Sequence, residues 1–554
     1  MGPYVEGHVL SWLIFIPGGT ALFLLAVSVA LRIFFGASGL PGVVWRAIGL
    51  GGSGLALLVA GVGVLGQFDP EGIGHQMVER APWLPGYGIH YFVGVDGISL
   101  FLVLLTALVV PLVLLASWNQ VERDLASFVL FVLLLETGLL GALLSLNLLQ
   151  FYAFAELSFV PLWLIVGVFG GAGRIRASTR LILYSAAGSV VSLVALLIVY
   201  QLGFEQTGVW TLDWIGQASS GTPGLIDVRI PIAGEDVAVW RTQPWLFAAF
   251  ALSFAIRIPM LPLHTWMPEA HVEAPTAGSV LLSLVMLEVG AYGMMRFALT
   301  LFPNAAADAV PLLFALAVLG ILHGALVAMV QRDLKRLVAY ACLAQLSLAM
   351  LGVFSLSLHG LIGGVVQLVS FGLTSSALFL LVGVIEERRK TRDVSELGGL
   401  AKPMPVFAAI LGVTVMASAG LPVLSGFVGQ LLILLGSFAV DARAALGAGV
   451  GLVLLAAALL WMFQRVALGP VEKAENRGLI DLDWRERSIF LALLVPILWI
   501  GVHPNPVLRR IEPSVLELMK QIDERRDLAP ILPPHDAEPS DLASPIETSD
   551  GDGV

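Results

Sequence analysis

The sequence is poor in charged residues and nearly devoid of cysteine. Only 13% of its 554 residues are Asp, Glu, Lys or Arg, and 58% are hydrophobic. A soluble domain carries about 25% charged residues, so this composition excludes an ordinary soluble protein and indicates an integral membrane protein. Cys342 is the only cysteine. An internal disulfide is therefore excluded, and so is a cysteine-bound iron–sulfur cluster, which needs about four thiolates.

Several motif classes are missing as well. The sequence has no Walker loop, no glycine-rich dinucleotide pattern after a strand, and no basic stretch with interleaved aromatics. We therefore expect no catalytic residue set, no cofactor on this chain and no nucleic-acid partner. The histidines and glutamates of residues 264–276 have no diagnostic metal-ligand spacing, so we predict no metal site.

Long apolar runs dominate what is present. A run of about twenty apolar residues is enough to cross a bilayer as a helix, and the sequence predicts an all-α integral membrane protein with about fourteen such helices. The first run is too long for a signal peptide and is expected to be retained. The approximate cores are 9–35, 43–66, 94–118, 125–145, 148–169, 178–201, 244–268, 274–301, 309–330, 334–355, 360–385, 404–440, 444–468 and 488–504.

The distribution of basic residues predicts the orientation. With the N-terminus outside, most of the 30 Lys and Arg residues fall in inner loops, as the positive-inside rule requires. Both termini are then expected outside. The Ala-, Val-, Gly- and Leu-rich usage is typical of GC-rich bacterial DNA, which indicates a bacterial inner (cytoplasmic) membrane. Residues 520–554, rich in Asp, Glu, Pro and Ser, are expected to be an acidic disordered tail.

Two of the apolar runs contain helix breakers. Pro259 and Pro262 interrupt the seventh run, and Pro422 lies in a Gly- and Ser-rich stretch of the twelfth. Proline removes a backbone donor, and backbone groups freed within a bilayer must meet protein or water. The breaks lie five spans apart, an odd number, so a five-helix repeat would be inverted. Paired breaks are typical of transport folds with inverted repeats; two unrelated kinks are the alternative.

This repeat hypothesis divides the chain into five parts. They are three N-terminal transmembrane helices (1–118), a first five-helix repeat (125–301), a second inverted five-helix repeat (309–468), a C-terminal transmembrane helix with an amphipathic segment (486–515), and the acidic tail (520–554).

Charged residues in mid-span are the candidate site. Glu156, Arg257 and Glu288 each lie within an apolar run, where a charge costs several kcal/mol unless it is paired or wetted. An acid–guanidinium pair would be the least costly arrangement. Such a pair could exchange protons or simply order the helices. Glu136 is a further buried carboxylate, and His323 is either a proton-relay member or a hydrogen-bonded core residue.

Aromatic residues near the ends of the apolar runs suggest a different role. Trp118 and Trp266 lie at such ends, and tryptophan is enriched where a span meets the membrane interface. We interpret both as interfacial anchors.

Several segments resemble a known family. The chain is similar to the antiporter-like membrane subunits of respiratory complex I (NADH:quinone oxidoreductase), and within them to the M or chain 4 group, as a divergent paralogue. The likeness covers nearly the whole chain except the acidic tail. It rests on "IRIPMLPLHTWMPEAHVEAPTAGSVLLSLVMLEVGAYGMMRF" (256–297), "QRDLKRLVAYACLAQLSLAMLG" (331–352), "ERRKTRDVSELGGLAKPMPVF" (387–407), "GLPVLSGFVGQLLIL" (420–434) and "GVHPNPVLRRIEPSV" (501–515).

The resemblance assigns roles and also reveals departures. Glu156 matches a fifth-helix glutamate of the family's proton-switching pair, but Arg257 and Glu288 stand where the family has lysines. Gln430 stands where it has a twelfth-helix glutamate. Three positions of the family's proton relay therefore carry side chains that cannot transfer a proton: Gln345 and Phe371, where histidines are expected, and Gln430.

The resemblance implies a subunit of a proton-translocating NADH:quinone oxidoreductase whose own proton path is impaired, although Glu288 and His323 could form a shorter relay. NADH, FMN, iron–sulfur clusters and quinone are then expected on partner subunits, and two antiporter-like subunits on its flanks. One alternative is a subunit of a multi-subunit cation/proton antiporter or hydrogenase-type complex. A second is a non-pumping structural spacer. A carrier for an organic solute is the weakest, since nothing indicates a substrate pocket.

Overall fold

The structure is a computed structural model that describes residues 7–35, 40–121, 123–216, 221–232 and 238–526. Helices make up nearly all of its regular secondary structure, as the composition predicts. The main helices are α1 (Val9–Phe35), α2 (Gly42–Leu65), α3 (Gly97–Ala116), α4 (Leu125–Leu144), α5 (Leu148–Phe169), α6 (Arg174–Thr207), α7 (Gln243–Arg257), α8 (Met267–Glu273), α9 (Thr276–Leu301), α10 (Pro303–Val330), α11 (Leu334–Phe354), α12 (Leu358–Arg389), α13 (Pro405–Ser418), α14 (Ser425–Val440), α15 (Ala442–Ala467), α16 (Trp484–Val502) and α17 (Asn505–Glu524).

Eleven of the helices in the described ranges are long and apolar enough to cross a membrane, namely α1 to α6, α9 to α12 and α15. A twelfth span is possible if α16 and α17, which are bent by 76° relative to each other, are counted as one. The runs expected at 244–268 and 404–440 are not continuous. Each is divided, into α7 and α8 and into α13 and α14, because prolines and glycines end the first helix of each pair.

The centre of the bundle is formed by α9, α11 and α12, whose apolar windows are almost wholly buried by the rest of the chain. By contrast, α1, α2 and α15 bury only about a third of theirs and expose large apolar side chains such as Phe23 and Val453. In a bilayer those exposed faces would meet lipid or neighbouring protein without the penalty that water imposes.

A two-stranded hairpin lies where the sequence indicated only a loop. Strands β1 (Gln76–Leu84) and β2 (Ile89–Val95) pair antiparallel, and the turn uses Gly88, with a φ of +61°. A side chain there would collide with the carbonyl of Trp210. The Leu146 amide donates to the Phe92 carbonyl at 2.8 Å. The hairpin is therefore fastened to the α4–α5 connection.

The C-terminal helix α17 lies across the end of the bundle. The Gly97 amide donates to the Ser514 hydroxyl at 2.8 Å, which joins α17 to the start of α3. The helix continues to Glu524, past residue 520 where the acidic tail was expected to begin, because Leu518 and Ile522 extend its buried face. Residues 527–554, most of the predicted tail, lie outside the described residues.

Candidate functional site

The first helix break separates α7 from α8. Pro259 and Pro262 lie in the turns that follow Arg257, before a short 3-10 turn leads into α8. The break leaves the Ile256 carbonyl without a helical partner, and the indole Nε1 of Trp266 donates to it at 3.1 Å. Trp266 is buried rather than interfacial, which corrects its interpretation as a membrane anchor. Its indole satisfies a backbone group that the break sets free.

Three helices bring the first charged group together. Arg257, at the end of α7, forms an ion pair with Glu156 of α5. The Ser189 hydroxyl of α6 accepts a hydrogen bond from Arg257 at 2.7 Å and donates one to Glu156 at 2.6 Å. The Arg257 side chain is 3% exposed and that of Glu156 is 31% exposed. Ser189 had not been singled out from the sequence, since a lone serine in an apolar run carries no distinguishing signal.

This triad can hold charge but has limited means to move it. A guanidinium is not deprotonated in proteins, so Arg257 serves as a fixed counter-ion. Ser189 can both donate and accept, and it links the two charged groups directly. Arg257 also has a buried Nε without a hydrogen-bond partner among the described residues. Ser189 therefore bridges the two charged groups, while the Nε of Arg257 keeps an unused hydrogen-bond donor.

Glu288 lies in a separate environment. It belongs to a π-helical turn of α9, Met286–Tyr292, and its side chain is fully buried. The Thr106 hydroxyl of α3 donates to its Oε1 at 2.5 Å, while its Oε2 has no hydrogen-bond partner in the described part of the chain. Glu288 therefore has no cation beside it, unlike Glu156.

His323 is not joined to Glu288. Its ring, on α10, lies 5.0 Å from the ring of His264 and 6.2 Å from that of Tyr340, between centroids. No hydrogen bond connects it to Glu288 within the described ranges. No direct relay therefore joins Glu288 and His323 in this structure. Glu288 faces Thr106 of α3, whereas His323 faces Tyr340 of α11 and His264 in the turn before α8.

Glu136 is isolated as well. It lies on α4 where that helix packs against α1 and α2, and it is fully buried. Neither of its carboxyl oxygens has a hydrogen-bond partner in the described structure. Ser53 of α2 is its nearby polar group. It takes no part in the pair formed by Glu156 and Arg257.

The second helix break, between α13 and α14, contains no charged side chain. The carbonyl of Ser418, the last residue of α13, accepts hydrogen bonds from the amides of Gln430 at 3.3 Å and Gln345 at 3.4 Å. Pro422 lies within the break, and Gly420 has a φ of +80°. A side chain at Gly420 would collide with the Gln430 amide. Neutral amides thus satisfy the backbone that this break exposes.

The third altered relay position, Phe371, is neutral too. Phe371, on α12, is buried and apolar. One residue earlier, the Ser370 hydroxyl lies 2.7 Å from that of Ser425, the first residue of α14. The region around the second break is therefore polar through hydroxyls and amides, with no group that carries a charge near neutral pH.

A second buried ion pair was missed by the sequence analysis. Arg296 of α9 pairs with Asp96, which caps the N-terminus of α3 by accepting from the Ser99 amide at 2.9 Å. Burial alone would raise the pKa of Asp96, but the charge of Arg296 and smaller contributions, which include the hydrogen bonds from Arg296 and the Ser99 amide, together lower the pKa to about 2. A buried arginine needs a partner, so Arg296 itself was the available signal.

His75 lies beside this second pair. Its Nε2 is 4.0 Å from the Asp96 carboxylate and has no hydrogen-bond partner among the described residues. Burial, and secondly the charge of Arg296, lower the pKa of His75 to about 4, against a smaller opposing effect of Asp96. His75 is therefore neutral at physiological pH.

The end of α8 is held by donors from other segments. The buried ammonium of Lys335, at the start of α11, donates to the Ala274 carbonyl at 2.5 Å. Arg392 donates to the Val272 carbonyl at 2.8 Å, and the Gly173 amide donates to the Glu273 carboxylate at 2.8 Å. The sequence analysis did not single out Lys335, because the sequence does not show which segments fold over it.

No group of three or more His, Cys, Asp or Glu side chains in the described ranges could hold a metal ion.

Two protein-family models match most of this chain. The family model for the transmembrane region of NADH:quinone oxidoreductase and Mrp antiporter subunits matches residues 145–456. The model for the amino terminus of NADH-ubiquinone oxidoreductase chain 4 matches residues 81–142. Together the two matches include both helix breaks and the hairpin's second strand.

Individual relatives agree. NADH-quinone oxidoreductase subunit M of Rhodobacter capsulatus is 40% identical over 457 residues, 82% of this chain and 87% of that protein. Chain 4 of Arabidopsis thaliana is 37% identical over 455 residues, 82% and 88% of the two chains.

Solved structures show the same likeness. A chain of respiratory complex I from Thermus thermophilus superposes with a TM-score of 0.79 at 33% identity, covering 93% of this chain and 99% of that one. A chain of the Mrp complex from Dietzia reaches 0.76 at 21% identity, covering 92% and 98%, which indicates a shared fold. The chain is a multi-span membrane protein that belongs to the subunit M (chain 4) family of NADH:quinone oxidoreductases.

Proposed function

We propose that this chain is an M-type membrane-arm subunit of a proton-translocating NADH:quinone oxidoreductase. Relatives at 35–40% identity over most of their length carry that name. The sequence offers no binding motif for NADH, FMN, an iron–sulfur cluster or quinone, so those cofactors belong to partner subunits. The chain would contribute to proton movement driven by electron transfer elsewhere in the complex.

The proposal extends to the membrane topology. Counting each broken pair as one span, and α16 as another, gives fourteen spans with two inverted five-helix repeats at 125–301 and 309–468. The paired breaks support this count. Both termini would then lie on the outer side of a bacterial inner membrane.

Glu156 supports the proposal of a flanking subunit. Its side chain is 31% exposed on an otherwise apolar helix. A carboxylate that faces lipid at bilayer depth is costly. A neighbouring antiporter-like subunit packed against this side would remove that contact with lipid.

We propose further that the proton path of this subunit is interrupted at its second break. The observation that carries this proposal is the pair of amides from Gln430 and Gln345 on the Ser418 carbonyl. Amides do not exchange a proton near neutral pH. The pair of Glu156 and Arg257 would then respond to charge movements in neighbouring subunits without passing a proton across the membrane itself.

The test is a proton count. The complete complex, reconstituted in vesicles, is compared with its Glu156→Gln variant for protons moved per NADH oxidised. We expect an unchanged ratio, with assembly checked on native gels. A ratio lowered by the share of one whole channel would contradict the interrupted path.

A gain-of-function variant provides the matched control. Arg257→Lys combined with Gln430→Glu restores two titratable groups at the two breaks and should raise the ratio. Identification of the subunits that co-purify with the native chain tests the assignment to the complex separately. Small antiporter subunits among them, without NADH-oxidising subunits, would contradict that assignment.

A further inference from the structure

Two adjoining cavities lie beside α17. One is a wide vestibule of about 1280 Å³ between α17 and the segment that follows α2. The other is a narrower apolar slot of about 360 Å³ enclosed by α3, α12 and α16. Pro506 and Arg510 line both. The two cavities therefore form one site with a polar mouth and an apolar interior.

The slot follows α3 through part of one bilayer leaflet. Arg510 lies at its mouth, and the Arg510 carbonyl packs against Gly97 at the start of α3. The α3 lining runs from Phe101 to Leu108, seven residues apart. At 1.5 Å per residue that is a length of about 10 Å, against about 15 Å for one leaflet of the hydrocarbon core, so the slot accommodates the upper part of an acyl chain.

The slot is lined almost entirely by hydrocarbon. Leu104 and Leu108 of α3 face Leu373 of α12, and Trp499 of α16 closes one side. Tryptophan is typical of the zone where lipid tails meet headgroups. A narrow apolar slot that opens at this level fits an acyl chain.

Arg510 is incompletely satisfied at the junction of the two cavities. Its Nη1 donates to the Pro506 carbonyl at 2.8 Å, but its Nε is buried and has no hydrogen-bond partner in the described structure. A buried donor without an acceptor costs free energy. A phosphate oxygen accepts a strong, charge-assisted hydrogen bond from a guanidinium.

The vestibule carries charges of both signs. Its cations are Arg509, Arg510 and Lys520; its carboxylates are Asp69, Glu71, Glu512 and Glu517. None of these seven residues forms an ion pair with another in the part of the chain described here; Lys520 lies 3.8 Å from Glu524, outside the vestibule. An anionic headgroup would satisfy the cations and leave the carboxylates unpaired. A zwitterionic headgroup matches both.

We propose that this site binds one molecule of phosphatidylethanolamine. One acyl chain fills the slot, the phosphate accepts hydrogen bonds from Arg510, and the headgroup ammonium lies among the carboxylates of the vestibule. Neither Glu156 nor Gln430 lines the site.

The test uses the full chain, purified in mild detergent and depleted of lipid. Native mass spectrometry then measures its retention of added palmitoyl-oleoyl phosphatidylethanolamine against phosphatidylglycerol with the same acyl chains. We expect one tightly retained phosphatidylethanolamine. Arg510→Gln should weaken its retention about tenfold, the effect of losing one charge-assisted hydrogen bond.

Two further variants separate the site from lipid that merely surrounds the protein. Leu104→Trp fills the slot and should abolish retention while leaving the vestibule charges in place. Arg443→Gln changes an exposed arginine at the start of α15 and should retain the lipid as the native chain does. Equal retention of the two lipids, or equal retention by Arg510→Gln and the native chain, would overturn the proposal.

Discussion

The two helix breaks of this chain are built alike and charged differently. At each, an apolar helix ends and a side chain from another element satisfies a freed carbonyl: Trp266 at the first, and the glutamine amides at the second. The first break, however, lies beside an ion pair, whereas the second is surrounded by neutral groups. The comparison shows that a broken helix needs only hydrogen-bond donors. The ion pair beside the first break is therefore not needed to satisfy its backbone.

The largest expected effect is at the charged break. Glu156→Gln leaves Arg257 uncompensated in a place where it is 3% exposed. Breaking a buried pair costs about 3–5 kcal/mol, and we expect about 3 here because Glu156 keeps partial exposure. Thermal unfolding of the purified chain in detergent measures the loss.

The double variant Glu156→Gln with Arg257→Met is the control for that measurement. It removes the uncompensated cation and should recover part of the lost stability. At the neutral break, Gln430→Met removes one hydrogen bond and should cost only about 1 kcal/mol. Equal losses for Glu156→Gln and Gln430→Met would show that the charge of the first break is unimportant for stability.

A smaller effect is expected when charge is added to the neutral break. In Gln430→Glu, an ionised carboxylate would face the Ser418 carbonyl, two acceptors without a donor between them, whereas a protonated carboxyl can donate to it. The folded state should therefore lose about 2 kcal/mol as the pH rises and the carboxyl ionises. Unfolding temperatures between pH 5 and pH 8, against the native chain, measure this. A loss that does not depend on pH would mean that a cation reaches the second break.

The smallest expected effect concerns His75, which lies beside the buried ion pair of Asp96 and Arg296. Burial holds the folded-state pKa of His75 at about 4, below its ordinary value of 6.5. As the pH falls from 7 to 6, the unfolded chain gains protons that the folded chain does not, so the unfolding free energy falls by somewhat less than about 1 kcal/mol. His75→Asn should reduce this pH dependence. His359→Asn, at an exposed position of α12, should leave it unchanged, and equal slopes in all three proteins would contradict the burial of His75.

The sequence predicted the structure best where a side chain is energetically unfavourable in an apolar run. A mid-membrane Arg257 and Glu156 each needed a partner, and prolines in an apolar run needed a break. The structure joins the two charges and breaks both helices. The membrane character and the family followed from the same features and from the quoted segments.

Contacts made by ordinary residues could not be found in this way. Ser189 and Thr106 look like any other hydroxyl in an apolar helix, and only packing shows that they contact Glu156 and Glu288. Trp266 was assigned to the interface because tryptophan is common there, but its indole serves a backbone carbonyl. The hairpin β1–β2 was missed because the search for long apolar runs disregarded short strands.

Position along a helix also failed to predict which charges meet. Glu288 and His323 both lie well inside apolar runs, yet their helices turn them toward different neighbours. A shift of one residue rotates a side chain by about 100° around a helix, and a π-helical turn at Glu288 adds a further rotation. Facing direction therefore depends on bulges that the apolar pattern does not reveal.

The anchoring of α8 has a mechanical consequence. Its last carbonyls and its terminal carboxylate are held by Lys335, Arg392 and the Gly173 amide, which belong to three other segments. The helix is only seven residues long and connects to α7 through turns. We therefore expect a displacement of α11 to move α8 about the proline-rich turn, next to which the Arg257 guanidinium lies.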